Sequence, residues 1–290
     1  MDCILNELSL NGQFSTIQNF VESGVKPIVD VMNDMVKCGV ALLYKKSTFY
    51  SCFVTSDKNF YDVIFGDCSR QNDEIRRFKN KLARLQNEPY WDSIPKQDSN
   101  VDYLWEKRVG EIVNVNNTAL AEVYARKMYL ISFTHDDFIG RKVKVKEKDK
   151  EFLEIPNIWA GGQLQDELFN SGQLRLSDYL PSKFARKLNF SELKQKDGFD
   201  NITKANLNLF LDSFRMFENK SWQGIFTDDG LEFKEFHQNR NTKNFFSAKY
   251  WSKGIYKFRV NDKIRCFGYK SNGLFYLLRI DLDHKLSDLG

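Results

Sequence analysis

The stretch Ile255–Gly290 reads IYKFRVNDKIRCFGYKSNGLFYLLRIDLDHKLSDLG, and its pattern decides the fold expected for the C-terminal part of the chain. Ile255–Val260 alternates Tyr256, Phe258 and Val260 against Lys257 and Arg259, the period of a strand. After the turn pair Asn261-Asp262, Lys263–Tyr269 sets Ile264 and Cys266 on one face and Arg265, Phe267 and Tyr269 on the other. Ser271-Asn272-Gly273 predicts a hairpin, because Asn-Gly takes the positive φ values of tight turns at low cost. Leu274–Ile280 is apolar apart from Arg279, as a central strand is. The three strands carry Arg259, Arg265 and Arg279, and the third leads straight into Asp281-Leu282-Asp283-His284-Lys285.

Working outward, 290 residues suffice for two domains, each with its own core. An apolar content of 42% with 28% charged residues is that of a soluble globular protein, and 25 Phe predict aromatic-rich cores. Five cysteines, Cys3, Cys38, Cys52, Cys68 and Cys266, form no C-x-x-C pair, which argues for reduced thiols over a disulfide or zinc framework. No apolar run has membrane-spanning length and the N-terminus has no signal-peptide pattern, so a cytoplasmic protein without a membrane partner is expected.

Charge is unevenly spread. Residues 1–170 carry 22 Lys+Arg against 25 Asp+Glu, whereas residues 171–290 carry 21 against 14. Lys234–Arg279 holds 11 basic residues and two acidic ones, Glu235 and Asp262, interleaved with Phe245, Phe246, Tyr250, Trp251, Tyr256 and Tyr269. Such a stripe suits a polyanion whose bases can stack. A solvated basic surface is the competing reading.

Upstream, helical spacing predicts Thr16–Glu22, interrupted at Gly24, then Lys26–Cys38, Asp57–Phe65, Asn72–Gln86, Ala119–Arg126, Leu176–Leu188 and Thr203–Glu218, continued by Trp222–Phe226. Leu5–Phe14 reads as a short extended or turn segment. Val40–Tyr44, Tyr50–Val54, Tyr129–Phe133 and Leu231–His237 read as strands. Arg141–Lys150 reads as an exposed, lysine-protected edge strand, Asn157–Gly172 as the inter-domain connection, and Gln238–Lys253 as an irregular basic loop. The expected architecture is α+β in two domains: residues 1–160 of mixed structure and regulatory or partner-binding role, then residues 171–290.

Of three histidines, His284 is the best candidate for proton transfer, since Asp281 and Asp283 flank it at the end of a strand. His135 and His237 read as ordinary polar surface. There is no ligand spacing for a metal, no P-loop, no dinucleotide fingerprint and no G-x-S-x-G, so no cofactor is expected.

The run Ser221-Trp222, D-x-G-L-x-F-K at Asp228–Lys234, R-V-x-x-K-I-R at Arg259–Arg265 and L-L-R-I-x-x-D-H at Leu277–His284 resembles the RelE/ParE-type toxin superfamily. The likeness spans Ile202–Gly290, under a third of the chain. It implies helices packed on a twisted antiparallel sheet. It also implies a toxin-like, metal-independent endoribonuclease that cleaves RNA by 2′-hydroxyl attack, in association with the ribosome, in growth arrest or phage defence. Carried over by position, Lys234, Arg259, Arg265 and Arg279 would contact phosphate, with Arg265 and Arg279 serving catalysis and His284 acting as acid or base. The stripe adds Lys257, Lys263 and Tyr269 as nucleic-acid-binding candidates. An antitoxin or other regulatory protein is an implied partner. The alternative is a nucleic-acid- or ribosome-binding protein without catalysis, or a gyrase poison.

Overall fold

Cys3-Ile4-Leu5 is apolar without alternation and wholly buried, as befits a strand covered on both faces. In the computed structural model, which describes residues 2–39, 42–66, 72–85, 90–284 and 286, it is one of the two inner strands of a parallel sheet. The chain divides into unit 1, Met1–Ser171, and unit 2, Gly172–Gly290. The expected strand start at Val40, Cys68, the expected helix end at Gln86, Lys285 and the settings of Arg84 and Leu85 lie outside what is described.

In unit 1, β1 (Asp2–Leu5) pairs in parallel with β2 (Leu42–Tyr44) on one side and β5 (Tyr129–Ile131) on the other. β5 in turn pairs in parallel with β8 (Asn157–Ile158), giving the order β2-β1-β5-β8. The β1–β2 crossover is helical. It opens at Ile17–Asn19, passes through a π-helical turn at Phe20–Val25 and continues as α1 (Lys26–Lys37), whose Ile28, Val31, Met32 and Met35 are buried. Gly24 therefore does not break the helix. A Cβ there would meet the Phe20 and Phe14 rings at 2.7 and 2.9 Å, so glycine is set by packing.

Two more helices, α2 (Phe60–Phe65) and α3 (Asp73–Leu85), help enclose Phe20, Phe49, Phe60, Phe78 and Phe133. Ring centroids in this cluster lie 5.0–6.4 Å apart. Each such ring contributes roughly 1.5–3 kcal/mol on burial. Tyr50–Val54 is not a strand: Ser47–Ser51 is a 3-10 turn and Phe53 makes a single bridge to Asn59. Its apolar residues mimic a strand because Phe49 and Val54 are buried from a loop.

A second, antiparallel sheet has the order β4-β3-β6-β7, from β3 (Tyr103–Arg108), β4 (Glu111–Asn114), β6 (Val143–Glu147) and β7 (Leu153–Ile155). The lysine-rich strand is thus interior, not an edge. Val143 and Val145 fill the core, while Lys144 bonds Glu106 across the sheet at 3.0 Å. The helix α4 (Ala119–Arg126) matches its expected bounds. Asn157–Gly172 is not a linker: it holds β8 and α5 (Gln163–Asn170), and Gly162 N donates to Asp34 Oδ2 at 2.7 Å.

In unit 2, α6 (Leu176–Lys183) ends earlier than expected. Lys187 N and Leu188 N both donate to the buried Glu218 carboxylate, at 3.0–3.1 Å, which turns the chain into β9 (Leu188–Asn189). Lys183, Arg186 and Lys187 consequently do not share a helix face. After α7 (Leu207–Asn219) and the separate α8 (Trp222–Phe226) come β10 (Lys234–Phe236), the short α9 (Ala248–Trp251), β11 (Ile255–Arg259), β12 (Arg265–Ser271) and β13 (Leu274–Asp281). The sheet order is β10-β11-β12-β13-β9, antiparallel except where β9 joins β13.

The expected hairpin is present: Asn272 and Gly273 have φ of 48° and 77°. One face of the sheet, carrying Phe258 and Phe275, packs on Phe214 and Phe217 of α7, with Phe217 4.8 Å from Phe258. The register of β12 on β13 shifts between Phe267 and Gly268. A Cβ on Gly268 would lie 2.1 Å from Tyr276 O, so the close approach demands glycine. Among the described residues no helix is long and apolar enough to cross a membrane.

Candidate nucleic-acid interface

Strand register places the stripe's residues. Lys234 lies opposite Lys257, Arg259 opposite Arg265, Arg265 opposite Asp281, and Phe267 opposite both Lys257 and Arg279. Since side chains alternate faces, the three arginines and Tyr269 share the face opposite to α7. That face is partly covered by the loop before β11. There Phe236, Phe246, Ile255, Phe267, Tyr269 and Leu278 form a second core, flanked by half-buried Tyr250, Trp251 and Tyr276.

The candidates then part company. Arg265 is 4% exposed. Its guanidinium donates to Asn261 O and to Ile264 O at 3.1 Å, and lies 3.6 Å from Glu232. Burial, and then the neighbouring Arg259, lowers its pKa from the ordinary value, yet an arginine stays charged. Arg259 meets the same Glu232 at 2.5 Å. Glu232 has a φ of 42°, closes a turn by donating from its N to Asp228 O at 2.9 Å, and its two oxygens bridge the arginine pair. Both cations are thus engaged by an internal carboxylate.

Lys257 is buried with Nζ 5.3 Å from the Phe236 ring centre. Lys234 and Lys263 are exposed. Arg279 is half-buried, 3.9 Å from Asp197, and alone of the expected residues lines a cleft of about 360 Å³, together with Glu192, Lys194, Phe245, Lys249 and Tyr250. His284, with a φ of 65°, stands in a turn that Asp281 closes by accepting from Leu286 N at 2.9 Å. The expected residues carried by the strands therefore share one face, but not one open concave surface, while Lys263 and His284 lie in turns beyond the strand ends.

What the sequence reading missed is a ladder of tyrosines. Tyr269 stacks on Tyr276 at 4.9 Å and 3°, and on Tyr250 at 5.9 Å and 27°. Tyr269, the member expected to bind nucleic acid, is buried in the middle and shows no free ring face; Tyr250 and Tyr276 are the half-exposed ends. Lys249 Nζ sits 4.4 Å from the Tyr250 ring centre and Lys253 Nζ 4.1 Å from that of Tyr269. The Tyr250 hydroxyl donates to Glu192 at 2.7 Å, which anchors the outer ring. Lys234, Arg240, Lys243, Lys249, Lys253, Lys263 and Lys270 are all exposed in the same stretch. Rings backed by cations can stack bases and attract phosphate together.

Comparison with protein-family models finds no match to this chain, and neither does comparison with curated proteins or with solved structures.

Proposed function

We propose that unit 2 binds single-stranded nucleic acid, RNA foremost, through the sheet face that carries the tyrosine ladder. The observation that carries this reading is Tyr250-Tyr269-Tyr276 stacked beside Lys249 and Lys253. Stacking is tolerant of sequence because every base has a π-face, and exposed lysines add an electrostatic component. The RelE/ParE-type resemblance of Ile202–Gly290 supports RNA over other polyanions and a RelE-like arrangement of helices on the antiparallel sheet. A ribosome-bound RNA and a regulatory or antitoxin-like protein are the partners this reading implies. The test is fluorescence anisotropy with a labelled single-stranded RNA and the same RNA as a duplex. Single strands bind more tightly, and Tyr250→Ala removes the preference. Equal affinity for both forms would replace stacking with unspecific charge attraction.

A second reading, cleavage, draws on one placement. Arg265 lies opposite Asp281, and His284 follows three residues later. Attack by a 2′-hydroxyl needs a proton acceptor and fixed positive charge near the phosphorane. In this reading His284→Ala lowers cleavage roughly 10²–10⁴-fold with binding retained. Uncut RNA after prolonged incubation with the parent protein rejects it and leaves the binding reading intact.

A further inference from the structure

We propose that unit 1 holds a separate small-molecule site that takes a single nucleobase or nucleoside, at the carboxyl ends of β1 and β5. Open parallel sheets bind ligands where the strand order reverses, because the loops leaving the two strands diverge there and open a crevice. In the order β2-β1-β5-β8 the chain proceeds from β1 to β2 on one side and resumes with β5 on the other, so the reversal lies between β1 and β5. A crevice of about 240 Å³ is found at that point. The loop after β1 supplies Leu8 and Asn11, the loop after β5 supplies His135, Asp137 and Phe138, and the antiparallel sheet supplies Trp105.

Its walls define the ligand. The Trp105 indole lies flat on Phe138, 5.2 Å apart and 7° from parallel, and both are buried, which makes a rigid planar side. Opposite chemistry comes from three groups already oriented by the fold. Asp137 N lies 3.1 Å from His135 Nδ1 and Asn11 Nδ2 lies 2.9 Å from Nε2, two donors between which a neutral ring has one acceptor nitrogen to offer. Burial lowers the pKa of His135 and favours that neutral ring. Lys107 lies 3.1 Å from Asp137 Oδ2 and Arg108 3.8 Å from Oδ1; each carboxylate oxygen has a second lone pair that can accept from an exocyclic amino group. The volume falls below the roughly 300–1,000 Å³ of drug-sized ligands, so one ring system with at most a sugar fits. A flat apolar wall with an amide, an imidazole and a carboxylate along its edge matches an amino-bearing base such as adenine or cytosine.

The experiment is calorimetric titration of the full chain with adenosine, guanosine, cytidine and uridine. Saturable binding of at least one amino-bearing nucleoside is expected, with uridine weaker by roughly tenfold or more, because a site built around a hydrogen bond rejects the analogue that lacks it. Val113→Trp, which fills the crevice from β4, should abolish binding. Should that variant not fold, the exposed Asn11→Ala decides, with a loss of roughly fivefold or more. No saturable binding by any nucleoside at millimolar concentration overturns the proposal, as does uridine binding as tightly as the best-bound amino-bearing nucleoside. Binding lost in Tyr250→Ala but kept in Val113→Trp would place the nucleoside on the tyrosine ladder and overturn it too.

Discussion

Tyr269 and Tyr276 face each other across β12 and β13 with ring centroids 4.9 Å apart and planes 3° from parallel. The pair sits on the strand side of the register shift at Gly268, where β13 approaches β12 so closely that no Cβ is accommodated. Backbone geometry at one glycine thus sets the ladder that the proposed RNA site uses.

Tyr250→Ala and Tyr276→Ala should each weaken single-stranded RNA binding by about 1–3 kcal/mol, the worth of one stacked base, with little change in thermal midpoint. Tyr269→Ala should instead destabilise unit 2 by roughly 3–5 kcal/mol, the cost of emptying a buried aromatic site. Anisotropy and thermal denaturation run on the same three variants separate the two effects.

Gly268→Ala should destabilise unit 2 by roughly 1–3 kcal/mol or more, since the added methyl must displace the β13 backbone at Tyr276 O. Denaturant unfolding measures it, and a midpoint equal to that of the parent would show that the strands tolerate the methyl.

The meander was legible because its alternation runs over three strands and its turn residues carry their own φ preferences. That Arg259, Arg265 and Arg279 share a face was not legible, because it depends on the strand register. Their partner was not legible: Glu232 reaches the pair from a loop outside the meander, and no periodicity connects residue 232 with residues 259 and 265. Tyr250 was equally hidden, because it enters the ladder from an irregular loop. The parallel sheet of unit 1 was legible only in part. Val40–Tyr44 and Tyr129–Phe133 read as strands, but β1 and β8 span four and two residues, too short for a period to show, and Leu5–Phe14 therefore read as a turn when β1 already ended at Leu5.

Glu232→Gln should destabilise unit 2 by roughly 1–3 kcal/mol, because Arg265 is buried and loses its carboxylate. Arg265→Ala should likewise lower the thermal midpoint. A variant Arg265→Ala as stable as the parent, yet unable to bind RNA, would restore the direct phosphate role first expected of that residue.

Glu7 follows β1, and its Oε1 accepts from Ala119 N at 2.9 Å. Burial is the main cause that raises its pKa to about 7. An acid whose folded pKa exceeds its unfolded value stabilises fully below the unfolded pKa. That stability is lost as pH rises through the folded pKa. From about 4.5 to about 7, unit 1 should therefore lose on the order of 3 kcal/mol of Glu7's contribution. Glu7→Gln, which mimics the protonated acid, should reduce the fall in thermal midpoint between about pH 5 and pH 8. An unchanged pH dependence in Glu7→Gln would show that the carboxyl is ionised throughout.

The most direct test of RNA binding by the ladder face is the salt dependence of affinity for single-stranded RNA, in the parent and in Lys249→Gln/Lys253→Gln. Each neutralised phosphate contributes a slope of about −0.7 in log affinity against log salt. The account predicts a parent slope of roughly −2 or steeper, made shallower by about 1.4 when both lysines lose their charge. A parent slope near zero, or no RNA retained even at low salt, would contradict it.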